Sequence, residues 1–91
     1  MDKQEFFDKA KKSIVDADEE KALDLVEAAQ DAGVDLLDLL INGFGAGNDE
    51  LGNNFDKGVI SLPELIYAAE VMKSVTGSIL DILQLSDEKN G

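Results

Sequence analysis

The sequence predicts an all-α protein, a four-helix bundle built as one domain of 91 residues. Three observations carry that expectation. Apolar residues recur at helical spacing along nearly the whole chain. The apolar palette is mostly Leu, Ile, Val and Ala, with four Phe, one Tyr and no Trp. The Asp, Gly and Pro signals fall where helices begin and end. The 44 % apolar and 31 % charged content is that of an ordinary globular domain, not of a disordered chain.

The first helix is predicted over about 3–15, with Phe6, Phe7, Ala10, Ile14 and Val15 as its apolar stripe. Asp16 or Asp18 can cap the second, and the Asp16–Glu19 spacing fits a capping box. That helix extends over about 18–32. Leu23, Val26 and Ala29 are expected to face inward, and Ala22, Ala28 and Ala32 are small enough for close packing. Gly33 follows at the position where helices commonly end in a left-handed residue.

Asp35 can cap the third helix, predicted over about 35–56 and closed by Gly58. Gly43, Gly45, Gly47 and Gly52 interrupt its stripe of Leu40, Phe44, Gly47, Leu51 and Phe55. Each interior glycine costs about 1 kcal/mol relative to alanine. A helix accepts that where another backbone or a ligand comes close, or where it kinks. Ser61-Leu62-Pro63-Glu64 is a strong start for the fourth helix, with Ser61 as cap, Pro63 in the first turn and Glu64 completing a capping box. This helix, about 62–84, has the longest apolar stripe: Leu62, Leu65, Ile66, Ala69, Met72, Val75 or Thr76, Ile79, Leu80 and Leu83. Ala69 is expected in the core, so that a charge there should unfold the bundle. The tail SDEKNG is polar and expected to fray.

Composition excludes several functions. A net charge of −12 opposes nucleic acid and anionic membrane surfaces, both of which need clustered Lys and Arg. Without Cys or His there is no disulfide, thiolate–zinc site or ordinary nucleophile–base pair. Independent enzymatic activity is therefore not expected. No apolar run is long enough to span a bilayer, and MDKQEFFDKA lacks a signal-peptide core, so a cytoplasmic location is expected.

Candidate sites mostly resolve to structural roles. Asn53–Glu64 can be laid on a calcium EF-hand loop, but Phe55 and Lys57 stand where oxygen ligands are needed. An acyl carrier needs Asp-Ser-Leu at a helix start, and none of Ser13, Ser61, Ser74, Ser78 or Ser86 sits in that tripeptide. Carboxylates such as Glu19/Glu20 and Asp35/Asp38 read as solvated faces, because bundle di-metal sites want Glu-x-x-His. Phe55 and Leu62, seven residues apart across a turn, read either as a hydrophobic plug for the fourth helix or as an apolar lid at one end of the bundle.

Residues 47–73 resemble the N-terminal helical cap of corrinoid proteins. These are the cobalamin-carrying methyl shuttles of methylamine, methanol and methoxyaromatic methyltransferase systems; cobalamin-dependent methionine synthase has an equivalent module. The family pattern reads G-M-x-x-V-G-x-x-F-x-x-G-x-x-F/Y-L-P-E-L-x-x-A-A-x-x-M-K. Gly47, Gly52, Phe55, Gly58, Leu62, Pro63, Glu64, Leu65, Ala68, Ala69, Met72 and Lys73 match it; Asn48, Leu51 and Ser61 depart from it.

The resemblance implies a non-catalytic cap that shields and gates the upper face of a methylcobamide during methyl transfer. Phe55, Leu62 and Leu65 are then the cofactor-binding side chains. It implies cobalamin or another corrinoid in the intact protein, with none tightly bound to this chain alone. It implies as partners a Rossmann-like corrinoid-binding domain, in the same or a separate chain, and methyl-donor and methyl-acceptor methyltransferase subunits. That domain carries an Asp-x-His-x-x-Gly motif and is expected to be absent here, because the chain ends at Gly91, about where a linker would begin. An isolated cap or a stand-alone relative is expected, able to form a homo-oligomer through its exposed apolar end. The competing reading is an acidic helical protein-interaction module with no cofactor.

Overall fold

In the computed structural model, residues 1–90 are described, with the backbone alone given for 85–90. Helix α1 spans Lys3–Val15 and α2 spans Glu19–Asp31. Helix α3 covers 36–56 in three pieces: an α-helical start (Leu36–Asp38), a π-helical turn (Leu39–Phe44) and an α-helical run (Gly45–Asp56). Helix α4 spans Leu62–Asn90. The chain is thus an all-α bundle of four helical segments, with no strand among the described residues. The tail 86–91, expected to fray, lies outside the residues whose side chains are described.

Aspartates start the first three helices, each carboxylate accepting free backbone N–H groups. Asp2 accepts from Glu5 N–H at 2.9 Å, Asp18 from Lys21 N–H at 3.1 Å, and Asp35 from Leu37 and Asp38 N–H at 2.9 and 3.2 Å. The cap of α2 is therefore Asp18. Asp16 instead ends α1 and pairs with Lys12 at 2.9 Å, so the Asp16–Glu19 capping box does not form.

Glycines close α2 and α3 in the same way. Gly33 (φ 77°) and Gly58 (φ 75°) take left-handed backbone. The following N–H groups, of Val34 and Val59, bond five residues back to Ala29 and Asn54 carbonyls at 2.9 and 2.8 Å.

The core draws on every helix: Phe6, Ala10 and Ile14 from α1; Ala22, Leu25, Val26 and Ala29 from α2; Leu36, Leu39, Phe44 and Leu51 from α3; Ala68, Val71, Val75 and Ile79 from α4. Helix α1 packs along α3 and against α2, while α4 packs on α2 and on the second half of α3. Two glycines of α3, Gly43 and Gly47, are explained by α1. A Cβ on Gly47 would stand 2.7 Å from the Lys11 carbonyl oxygen and 2.8 Å from Ile14 Cβ, and one on Gly43 would stand 3.0 Å from Ala10 Cβ. Another backbone does come close, and the helix also departs from α geometry here. In the π turn, Gly45 N–H bonds to the Leu40 carbonyl, five residues back. The extra residue in that turn leaves consecutive Gly43 and Phe44 both buried.

Three sequence expectations about facing need correction. In α2, Leu25 is buried, Leu23 only half so, and Ala28 and Ala32 are exposed. In α3, Leu39 rather than Leu40 is the fully buried residue. In α4, Ala68 and Val71 are buried while Leu62, Ile66, Ala69 and Leu80 are exposed. A single stripe of a helix fits against α2 and α3, and the rest of α4's wide apolar surface has no partner within the bundle. Ala69 is therefore not a core residue.

Candidate functional site

The corner between α3 and α4 concentrates exposed apolar side chains. Phe55 lies in the last turn of α3, Val59 in the connection and Leu62 at the first residue of α4. Phe55 is 38 % exposed and Leu62 54 %; Val59, Ile66 and Tyr67 are more exposed than Phe55. Exposed singly, such residues are unremarkable; grouped at one turn they mark a contact surface.

The backbone fixes the corner. Gly58 reverses the chain with a left-handed residue, and its N–H bonds to the Phe55 carbonyl at 3.0 Å. A reciprocal capping box then restarts the helix. Ser61 N–H and hydroxyl both donate to one Glu64 carboxylate oxygen, at 3.1 and 2.9 Å, and Glu64 N–H points back to Ser61 Oγ at 3.4 Å. The bond from Ser61 backbone N–H, followed by that from its hydroxyl, holds the Glu64 carboxyl below its ordinary pKa. Glu64 is thereby committed to the helix start. Asn53 to Asp56, the first four positions of the EF-hand alignment, continue α3 as helix instead of opening a loop.

The sequence named Phe55, Leu62 and Leu65 for this site. Phe55 and Leu62 flank the Gly58 turn with exposed side chains, whereas Leu65 is half-buried and packs against the core cluster. Val59 and Ile66 belong to the same apolar surface and were not singled out. Ile66 follows Leu62 by one helical turn, a spacing the sequence already contained; its assignment to the core concealed it. Gly52 precedes Phe55 by three residues, and a Cβ there would meet nothing within 4 Å. No neighbour inside the bundle requires that glycine.

Among the described residues there is no group of three or more carboxylates, histidines or cysteines able to hold a metal ion. No helix among them is long and apolar enough to cross a membrane. What the corner offers is shape: an apolar ledge on a turn held by backbone and capping hydrogen bonds.

Comparison with known proteins gives this ledge a context. The B12 binding domain family matches residues 7–79. A Methanosarcina mazei protein named trimethylamine corrinoid protein 2 is 46 % identical over 72 residues, 79 % of this chain and 33 % of the relative. The Methanosarcina acetivorans trimethylamine corrinoid protein 2 is 37 % identical over 87 residues, 96 % of this chain and 38 % of the relative. A monomethylamine corrinoid protein of Methanosarcina barkeri is 30 % identical over 90 residues, 99 % of this chain and 40 % of the relative. The chain spans about a third of the length of the curated relatives it matches first. With a match that covers most of its length and a wholly helical bundle, the chain belongs to the B12 binding domain family as its helical cap domain.

Proposed function

We propose that this chain is the cap of a corrinoid protein in a methylamine methyltransferase system. Its α3–α4 corner covers the upper face of the corrinoid and gates access to the methyl group held there. The observation that carries the reading is the exposed apolar corner of Phe55, Val59, Leu62 and Ile66 in a member of a B12-binding family. The names of the trimethylamine and monomethylamine corrinoid relatives support the methylamine assignment.

The residues present fit a corrinoid. A corrin ring presents a broad, largely apolar face, and the corner presents apolar side chains that the bundle leaves uncovered. Phe55 and Leu62 would rest on the ring, with Leu65 behind them as a wall tied to the core. When bound, the corrinoid supplies the cobalt that carries a methyl group between donor and acceptor. The corner excludes water from that face through apolar side chains, and Glu64, the nearest acid in sequence to Leu62, is spent on Ser61. The absence of a side chain at Gly52 lets an outside surface approach α3 beside Phe55.

A lid must also open. The exposed side chains number only a few, so the contact they make is small enough to be reversible. In this reading the chain works with a Rossmann-like corrinoid-binding domain and with the methyltransferases that load and unload it. It performs no chemical step itself.

Paramagnetic cob(II)alamin on such a domain, joined to isotope-labelled cap, tests the placement directly. Broadening of the Phe55, Val59, Leu62 and Leu65 resonances is expected, with α1 unaffected. Broadening confined to other helices would overturn the assignment of the corner.

A further inference from the structure

Helix α4 carries two stripes at coiled-coil spacing. Leu65, Ala68, Met72, Val75, Ile79 and Ile82 step alternately by three and four residues and face the bundle, all buried or half-buried. Leu62, Ile66, Ala69, Lys73, Thr76 and Leu80 step by four and three beside them. The bundle leaves most of this second stripe open: Leu62, Ile66 and Leu80 are 54 %, 55 % and 51 % exposed, while Thr76 is half-buried. Ala69 and Lys73 are exposed as well. A repeat of 3.5 residues keeps a seam turned toward a partner helix along its length.

We propose that this seam pairs antiparallel with the same seam of a second copy of the chain, Glu70 of each copy meeting Lys73 of the other across a two-fold axis. An interface between identical copies must match itself when reversed. This stripe does so about Val71: Leu62 falls opposite Leu80, Ile66 opposite Thr76, and Ala69 opposite Lys73. The two ends are apolar, and at the centre the smallest side chain faces the longest. Glu70 flanks the seam beside Ala69, within reach of the Lys73 that crosses over Ala69 from the other copy.

Both charges are available. The ion pairs among the described residues are Lys3–Asp38, Lys11–Glu50 and Lys12–Asp16, which leave Glu70 and Lys73 uncommitted. From Leu62 to Leu80 the seam is ~27 Å long, five helical turns of contact. A lipid surface is a poorer occupant, because Lys73 and Thr76 interrupt the apolar stripe and the chain as a whole is strongly acidic. Reversal symmetry is a property that only another copy shares.

The pairing rests on α4 alone and does not depend on the capping function. Leu62 and Ile66 belong to both surfaces, so a paired chain has part of its α3–α4 corner covered. Pairing and capping therefore exclude one another.

Sedimentation velocity of the chain from micromolar to millimolar concentration tests the proposal. A monomer–dimer equilibrium is expected. Ile66→Asp should abolish the dimer while leaving the circular dichroism spectrum unchanged, because Ile66 is exposed in the monomer. Lys73→Glu and Glu70→Lys should each raise the dissociation constant about tenfold, since two symmetric attractions become two repulsions. Glu70→Lys also brings the net charge of −12 closer to zero, so non-specific repulsion would act in the opposite direction. The double variant E70K/K73E restores the pair in reverse and should recover the parent constant. A chain that stays monomeric at millimolar concentration would overturn the proposal. So would a dimer indifferent to Ile66→Asp, or charge reversals that fail to rescue each other.

Discussion

Ser61 shows how one residue sets the site. Its hydroxyl stands at the start of α4 and caps that helix. Its N–H and hydroxyl converge on the Glu64 carboxylate, which is why that carboxyl titrates below its ordinary value. The sign of the linkage follows. A depressed folded-state pKa stabilises the helix start at pH values above the ordinary glutamate pKa, and that contribution is lost as pH falls through the lowered value. Ser61→Ala should therefore cost about 1 kcal/mol at neutral pH, as loss of a helix cap does, with the difference shrinking at acid pH. An NMR titration should show Glu64 moving part of the way back up in the variant, because the bond from the residue 61 backbone N–H remains. An unmoved Glu64 would mean that the Ser61 hydroxyl contributes nothing to holding its charge and that the backbone N–H does so alone. The aspartate caps and the Ser61–Glu64 box could be anticipated from sequence because capping is local. The choice between Asp16 and Asp18 could not, because it depends on where the preceding helix stops. Helix α1 ends with Ala17 in left-handed backbone (φ 53°), which releases Asp18 to cap α2.

At the level of the helices, the glycines of α3 divide into two kinds. Gly47 lies against α1, where the first obstacle to a side chain is a backbone carbonyl that cannot swing away. Gly47→Ala should destabilise the bundle by about 1–3 kcal/mol through overpacking. Gly52 faces open space, so Gly52→Ala should stabilise the isolated chain by up to about 1 kcal/mol. Chemical denaturation of both variants checks the contrast, and equal effects would show that α1 and α3 do not approach as described. The glycine pattern announced that something unusual happens in α3. It did not announce the π turn, since a one-residue bulge leaves apolar spacing nearly intact.

Helix α4 departs from its sequence expectation for a different reason. Its apolar residues occupy two adjacent stripes, and periodicity alone does not say which one the bundle buries. Ala68 and Ala69 are neighbours with opposite fates, the first buried and the second exposed. Ala68→Asp should unfold the chain by burying a charge, whereas Ala69→Asp should shift the stability by no more than about 0.5 kcal/mol. Thermal melts of the two variants decide the facing, and the opposite order would rotate α4 back to the orientation its sequence first implied.

For the molecule as a whole, the bundle leaves apolar side chains uncovered along α4 and at its junction with α3, besides Met1, Leu37 and Ile41 elsewhere. The all-α four-helix plan was legible in the spacing and the caps, and the family in the Gly47–Lys73 pattern. What stayed hidden is which apolar residues the bundle leaves uncovered, because exposure is decided by neighbours distant in sequence. Those uncovered residues are the ones a cap would use. The most direct test of capping is the photolysis rate of methylcobalamin on a corrinoid-binding domain, with and without this chain fused to it. Slower loss of the methyl group, or altered photoproducts, is expected in the fused form, with a return toward the uncapped rate in Phe55→Ala. A rate and product set unchanged by fusion would contradict capping and leave the chain as a helical interaction module.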